Sequence, residues 1–402
     1  MKWYRNLANA IVETLYTIFN EEKQGDRVIQ KLLQSQKKWG SRDRKFVAKA
    51  LYDIIRWKRL YEYLAQNSIL EESGKWQILG VWSVLNNISL PEWVEFEGIN
   101  PADIKERYKK IDQKAIKESV PDWLYQLGAE QLGIANWEAQ INALNQEADL
   151  FIRVNTLKTN RNKLQKILQK EGVDTETIPD LPDALLIKNR KKITPLKSYQ
   201  QGLFEVQDIS SQLVAPFTGV QPGMTVIDAC SGAGGKTLHL AALMQNKGKI
   251  FAYDIVPNKI KELYKRARRN GVKNIVEAGI IDTDKLKKNA QLADVLLIDA
   301  PCSSLGTLKR KPDLKWKLNP EKLRQINVTQ LDIISRYEKM LKPGGTLIYV
   351  TCSILPQENQ DIVNNFLKNH KNYTFVTEQT IFPSNFQGDG FYMAKLIKNK
   401  QT

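Results

Sequence analysis

The chain has 402 residues, more than one hydrophobic core usually organises, so two or three domains are expected. Lys and Arg number 60 against 44 Asp and Glu, a formal charge of +16 that favours a polyanionic partner, nucleic acid first, while saying nothing of fold. Three cysteines and two histidines exclude a disulfide framework and match no zinc-ligand spacing, so free thiols, no metal and a reducing compartment, the cytoplasm, are expected.

At the N-terminus, Met1-Lys2-Trp3-Tyr4-Arg5-Asn6 lacks the pattern of a secretory leader, and no later stretch is apolar for long enough to span a bilayer. From Trp3 to about Asn87 apolar residues recur at helical spacing, as Leu7, Ile11, Leu15 and Phe19 and then Phe46, Leu51, Ile54 and Ile55, which predicts a helical domain. Lys37, Lys38, Arg42, Arg44, Lys45, Lys49, Arg56, Lys58 and Arg59 crowd around the second group, and such a run is more often a solvated face than a binding surface. Between Leu90 and Val120 the periodicity lapses and Pro91, Gly98 and Pro101 enter, predicting a connector that closes a first domain over residues 1–118.

A helix is then expected after Pro121-Asp122-Trp123-Leu124, a strand over Leu150 to Asn155, and a basic helix over Lys158 to Gln169 that carries Lys158, Arg161, Lys163 and Lys166. The stretch Leu185 to Leu196 adds Lys188, Arg190, Lys191 and Lys192. Strand, basic helix and strand make residues 119–203 a small α+β module of the kind that holds single-stranded RNA. Without paired aromatics it is expected to grip backbone more than bases.

From Phe204 to the end, residues 204–402, strands and helices alternate: Val226 to Ala229, a helix from Lys236 to Met244, Ile250 to Asp254, a helix from Asn258 to Asn270, Ile275 to Ala278, Val295 to Asp299, a helix around Pro320 to Leu341, and Leu347 to Thr351. That order predicts an α/β domain with a parallel sheet covered by helices on both faces. A last strand, Phe391 to Ile397, follows Gly388-Asp389-Gly390 and is expected as an antiparallel edge. Each of the three cysteines ends an apolar run that reads as a strand, so Cys230, Cys302 and Cys352 are expected together at the carboxyl end of one sheet, where α/β proteins place their sites.

Gly232, Gly234 and Gly235 follow a strand and open a helix, which lets backbone approach a ligand. Gly235-Lys236-Thr237 follows Gly232 too closely for a Walker loop. A dinucleotide site fits on spacing alone, but Asp254, Asp282 and Asp299, at the ends of successive strands, suit a cationic, phosphate-free nucleoside better, and S-adenosylmethionine is that ligand. Each cysteine taken singly is more often core packing than catalyst, and Cys230 is left at that reading.

The residues resemble the RsmB/Nop/Sun family of RNA cytosine-5 methyltransferases. The matching stretches are Arg153-Val154-Asn155-Thr156-Leu157, Val206-Gln207-Asp208, Ser210-Ser211-Gln212, the glycine loop, Asp299-Ala300-Pro301-Cys302-Ser303, Thr351-Cys352-Ser353 and Asp389-Gly390-Phe391, over roughly the last two thirds of the chain. The resemblance implies a Rossmann-like class I methyltransferase domain, cofactor contacts from Cys230, Ser231, Gly232, Ala233, Gly234, Gly235, Lys236, Asp254, Asp282 and Asp299, Cys352 as nucleophile and Cys302 in product release. Ser41-Arg42-Asp43-Arg44 and the Tyr52 to Trp57 helix resemble the NusB-like domain of the RsmB branch. The loop departs from the family's Cys-Ala-Ala-Pro-Gly-Gly-Lys: Ser231-Gly232-Ala233 precede Gly234-Gly235-Lys236 and the proline is missing.

Chemistry gives two thiols separate uses. Cytosine C5 is too poor a nucleophile to take a methyl group unaided, whereas a thiolate adding at C6 creates an enamine that can. Asp299 near N3 and the exocyclic amine would stabilise the developing charge, and Cys302 or a neighbour would help remove the C5 proton. Lys236 either lowers a thiol pKa or orients the base, or simply steadies its loop. The expectation is therefore a monomeric RNA methyltransferase, on ribosomal RNA first, with the target base flipped from its stack. DNA-type enzymes of the Pro-Cys kind, attacking with the cysteine placed as Cys302 is, leave the role assignment open. Transfer RNA as substrate, and a non-catalytic RNA-binding assembly protein, are the rival functions.

Overall fold

The computed structural model describes residues 3–189 and 192–400, so Arg190 and Lys191 lie outside the described residues. It divides into two compact units, Met1–Gln146 with Leu308–Pro320, and Glu147–Thr307 with Glu321–Thr402.

The first unit is helical. Helices Arg5–Phe19, Gly25–Ser35, Ser41–Arg56, Lys58–Ala65 and Glu72–Leu85 bury Leu7, Ile11, Leu15, Val47, Leu51, Ile54, Leu79 and Trp82 in one core, as their three- and four-residue spacing requires. The expected connector is itself helical in part. Pro101 opens the helix Pro101–Lys109 at the one turn where its missing N–H costs nothing, and the Asn100 side chain caps it by accepting from the Ala102 N–H at 2.9 Å. Helices Lys114–Lys117, Asp122–Leu132 and Ile134–Leu144 complete the run to Gln146. Much of the basic cluster serves the fold: Arg44 donates to the carbonyls of Leu33, Gln36 and Trp39, Arg56 is buried and donates to the Lys309 carbonyl, and Lys58 pairs with Glu62. Lys37, Lys38, Arg42 and Lys45 remain exposed.

The inserted segment Leu308–Pro320 is anchored in this unit. Gly25 N donates to Asp313 Oδ2 at 2.9 Å, Trp316 Nε1 to the Ile55 carbonyl at 2.6 Å, and Lys315 Nζ to Asn145 Oδ1 at 3.2 Å. Burial pushes the Lys315 ammonium well below its ordinary pKa.

The second unit holds two sheets. The smaller, in the order β2-β3-β1-β4, is antiparallel and comprises β1 (Phe151–Val154), β2 (Thr175–Ile178), β3 (Leu181–Ile187) and β4 (Phe204–Val206), with Leu164 and Leu168 of helix Arg161–Lys170 buried on it. Its fourth strand lies past residue 203. Lys158, expected in the basic helix, instead precedes it: Asn160 caps the helix at the Lys163 N–H, and Lys158 Nζ donates to the carbonyls of Gln201 at 2.7 Å and Arg269 at 2.6 Å. Lys163, Lys166 and Lys170 stay exposed.

The larger sheet has the order β10-β11-β9-β8-β5-β6-β7, from β5 (Thr225–Asp228), β6 (Lys249–Asp254), β7 (Ile275–Ile280), β8 (Ala293–Asp299), β9 (Leu341–Thr351), β10 (Tyr373–Ile381) and β11 (Phe391–Lys398). Strands β5 to β9 pair in parallel, and β11 runs antiparallel between β9 and β10. The expected edge strand β11 is thus internal, and β10 takes the edge. Strand order reverses between β6 and β8 on either side of β5, so the carboxyl ends of β5, β8 and β9 open a crevice.

Candidate active site

Strand β5 ends at Asp228, and the turn that follows leads into helix Gly235–Leu243. Gly232 and Gly234 hold φ of +55° and +87°, left-handed backbone that a side chain would strain. A Cβ on Gly232 would meet open space, so its backbone faces a void, while one on Gly234 would lie 2.8 Å from Leu263 Cγ. Asp254 shapes the turn from the next strand, its Oδ2 accepting from Gly232 N and its Oδ1 from Val256 N, both at 2.9 Å. Arg153 of β1 steadies the other side by donating to Gly235 O at 3.1 Å, and Arg266 donates to Ala233 O at 2.8 Å.

Two buried oxygens in this turn have no hydrogen-bond partner, Asp228 Oδ1 and Ser231 Oγ. Buried polar atoms are normally satisfied. Asp228 Oδ2 accepts from Thr237 Oγ1 at 2.6 Å, yet burial pushes the carboxyl up to about 7. Beside Asp254, Ile255 is 72 % exposed. Orphaned acceptors, bare glycine backbone and an exposed apolar side chain next to a carboxylate fit a nucleoside that carries an amine and a cationic sulfur. Cys230 sits among carboxylates, and burial raises its thiol well above the ordinary range, away from thiolate chemistry. Asp282 is exposed and caps helix Thr283–Lys288 by accepting from Lys285 N at 2.8 Å.

At the ends of β5, β8 and β9 the remaining groups converge. Lys236 Nζ donates to Asp299 Oδ2 at 2.6 Å and lies 5.2 Å from the centre of the Phe391 ring. Burial works against the ammonium, but its attraction to and hydrogen bond with Asp299 outweigh that and hold Lys236 above its ordinary pKa. Cys302 Sγ and Cys352 Sγ are 3.4 Å apart, and the Cys352 thiol donates to Ser304 Oγ at 3.3 Å. The two sulfurs are driven apart in acidity. The hydrogen bond from Cys302 lowers Cys352 against the effect of burial, with Ser304 and Lys236 helping, while the same bond and burial raise Cys302.

A buried carboxylate that sequence reasoning missed holds both cysteine loops. Glu358 Oε1 accepts from Ser303 N at 2.7 Å, its Oε2 from Ser303 Oγ at 2.5 Å and from Ser353 Oγ, and Gln330 Nε2 reaches Oε1 at 3.4 Å. Next to it Asn359 Oδ1 accepts from Thr351 Oγ1 at 2.5 Å and its Nδ2 donates to Ser353 O at 3.1 Å. The serine that follows each cysteine thus donates to one shared acceptor, a link that no spacing in the sequence announces. The Gly390 match is equally physical: a Cβ on Gly306 would lie 2.1 Å from Gly390 O, so only paired glycines let the Cys302 loop lie against the start of β11.

A family profile described as 16S rRNA methyltransferase RsmB/F matches residues 217–397, and one for an RsmF/B-like ferredoxin-like domain matches residues 120–194. A Synechocystis sp. protein described as "Probable ribosomal RNA small subunit methyltransferase B" is 33 % identical over 310 residues, 72 % of this chain and 70 % of its own length. The chain belongs to the RsmB/F family. Ribosomal RNA small subunit methyltransferase B of Enterobacter sp. is 32 % identical over 285 residues, 69 % of this chain and 66 % of that one. Among solved structures, PH0851 has a TM-score of 0.83 at 24 % identity over 99 % of this chain and 100 % of that one. NSun6 from Pyrococcus horikoshii, solved with the S-adenosylmethionine analogue SFG, has a TM-score of 0.65 at 23 % identity over 71 % of this chain and 100 % of that one. Both likenesses are of fold. The RsmB/F family is S-adenosylmethionine-dependent, the Rossmann-like sheet and the small α+β module expected from sequence are present, the latter matching a ferredoxin-like domain, and the orphaned acceptors beside Gly232 suit that cofactor.

Proposed function

We propose that the protein transfers a methyl group to C5 of a cytidine in RNA, ribosomal RNA as the names of its relatives indicate, through a covalent bond between Cys352 Sγ and cytosine C6. The observation that carries this reading is the pair of sulfurs 3.4 Å apart with opposed acidities, beside the Lys236–Asp299 pair.

Cys352, the more acidic thiol, adds to C6, and the electron pair displaced from the C5–C6 bond builds an enamine with charge spread toward N3. Asp299 accepts from the exocyclic amine and orients the ring, and the Lys236 ammonium that donates to it offsets the negative charge developing toward N3. Bound S-adenosylmethionine supplies the electrophilic methyl group, in a site formed by Cys230 to Lys236, Asp254, Asp282 and Asp299. A base then takes the C5 proton, the C5–C6 double bond re-forms and the Cys352 thiolate leaves, with the Cys302 thiol assisting by donating a hydrogen bond to the departing sulfur. The three-part division at 118 and 203, the helical part as a NusB-like RNA-binding domain, a cytoplasmic site of action and a monomeric state belong to the same reading.

Separate alanine variants test the roles. Cys352→Ala is expected to abolish methyl transfer and any protein–RNA adduct, whereas Cys302→Ala accumulates an adduct that survives denaturation. The reverse pattern assigns attack to Cys302. Bisulfite sequencing of total RNA from cells with and without the gene locates the cytidine and distinguishes ribosomal from transfer RNA. An unchanged pattern overturns the enzymatic reading in favour of a non-catalytic RNA-binding protein.

A further inference from the structure

We propose that Ser304 is a catalytic residue whose hydroxyl donates a hydrogen bond to the Cys352 thiolate, a role that rests on the assignment of Cys352 as nucleophile. Ser304 Oγ lies 3.3 Å from Cys352 Sγ and 3.9 Å from Cys302 Sγ, the one hydroxyl among the described residues that bridges both sulfurs. While Cys352 keeps its proton, the thiol donates to Ser304 Oγ. A thiolate has no proton to give, so on ionisation the hydroxyl, which is both donor and acceptor, rotates and donates back. The polarity of the contact thus follows the charge of the sulfur without moving a heavy atom.

The backbone makes the placement deliberate. Ser304 has φ of +58°, the left-handed region that side chains other than Gly, Asn and Asp seldom occupy, and glycine would fit there without strain. Such strain persists where the surroundings dictate it, and it clusters at working sites. Here Thr307 Oγ1 donates to Ser304 O at 2.8 Å, and Gly306 N donates to Cys352 O at 3.0 Å, so the turn carrying Ser304 is tied to the strand end carrying Cys352. The other groups that act on Cys352 are Cys302 on the same loop, Lys236 at the start of helix Gly235–Leu243 and Asp299 at the end of β8. None of these is a hydroxyl, and the Lys236 ammonium is already bonded to Asp299. Ser304 is therefore the hydroxyl donor that joins the Cys302 thiol at the thiolate, and it serves the expelled sulfur again when the product leaves.

The test reads Cys352 directly. Wild type, Ser304→Ala and Ser304→Gly are alkylated with iodoacetamide across a pH series, and the rate at Cys352 is followed by peptide mass spectrometry, alongside kcat and KM on RNA. The midpoint for Cys352 is expected to rise by about one pH unit in both variants, with a matching loss of roughly tenfold in kcat near neutral pH and KM unchanged. Ser304→Gly is expected to melt higher than wild type while reacting more slowly, a divergence that a purely structural role does not produce. Unchanged alkylation midpoints in both variants overturn the proposal, as does a rise in KM at constant kcat. If the midpoints move as expected but wild type transfers no methyl group to RNA, the cytidine reading fails and the thiolate donor stands.

Discussion

Asp228 shows how one buried carboxyl links stability to the cofactor turn. It is fully buried at the end of β5, and its single hydrogen bond from Thr237 does not offset desolvation, so its pKa stands at about 7 against 3.8 unfolded. A folded pKa above the unfolded one means that the fold favours the protonated form. The associated stability is fully present below about pH 4 and is lost as pH rises through 7, on the order of 4 kcal/mol for a shift of this size. Asp228→Asn carries no titrating group. It is expected to match wild type in urea unfolding at pH 4 and to exceed it at pH 8, and calorimetry is expected to show weaker S-adenosylmethionine binding because Oδ1 is one of the two orphaned acceptors. Equal stability of the two proteins at pH 8 would show that the carboxylate is satisfied in solution.

At the scale of elements, the loops after β8 and β9 are held together by Glu358 in the short turn Pro356–Glu358 rather than by the sheet alone. Glu358→Gln keeps the volume but turns one acceptor into a donor facing Ser N–H or O–H groups. It is expected to cost about 1–3 kcal/mol in urea unfolding and to lower kcat through a looser sulfur pair. A variant with wild-type stability and kcat would show that the sheet alone sets the sulfur spacing. Strands β5, β6, β8 and β9 were legible because buried parallel strands read as unbroken apolar runs, and the cysteines at their ends followed. Glu358 was not legible, because its partners are serines 55 and 5 residues away and acquire meaning only once both loops meet. Strand β10 was missed for a different reason: six consecutive residues, Thr374 to Gln379, are exposed, so no period-two pattern exists to read. The Leu308–Pro320 insertion escaped because its anchors, Gly25, Ile55 and Asn145, lie more than 160 residues upstream.

For the whole molecule, the charge of +16 mixes two populations that sequence alone cannot sort. Arg44, Arg56 and Lys158 spend their donors on backbone carbonyls, and Arg266 and Arg269 on the buried Glu205. Removing these is expected to lower stability without changing how RNA binding responds to salt. The exposed lysines of helix Arg161–Lys170, namely Lys163, Lys166 and Lys170, project from the ferredoxin-like module with their donors in solvent. Each one that neutralises a phosphate of single-stranded RNA releases counterions and adds roughly 0.7 to the slope of log affinity against log salt. Changing all three to Gln is expected to weaken binding alike for all sequences and to flatten that slope by about 2, read by fluorescence anisotropy over a salt series. Lys158→Gln, measured in parallel, is expected to leave the slope unchanged and lower the melting temperature, because its ammonium caps the helix end at Arg269. An unaltered slope in the triple variant would move the RNA path off this helix, toward the exposed Lys37, Lys38, Arg42 and Lys45 of the helical unit, where the same substitution and the same salt series apply.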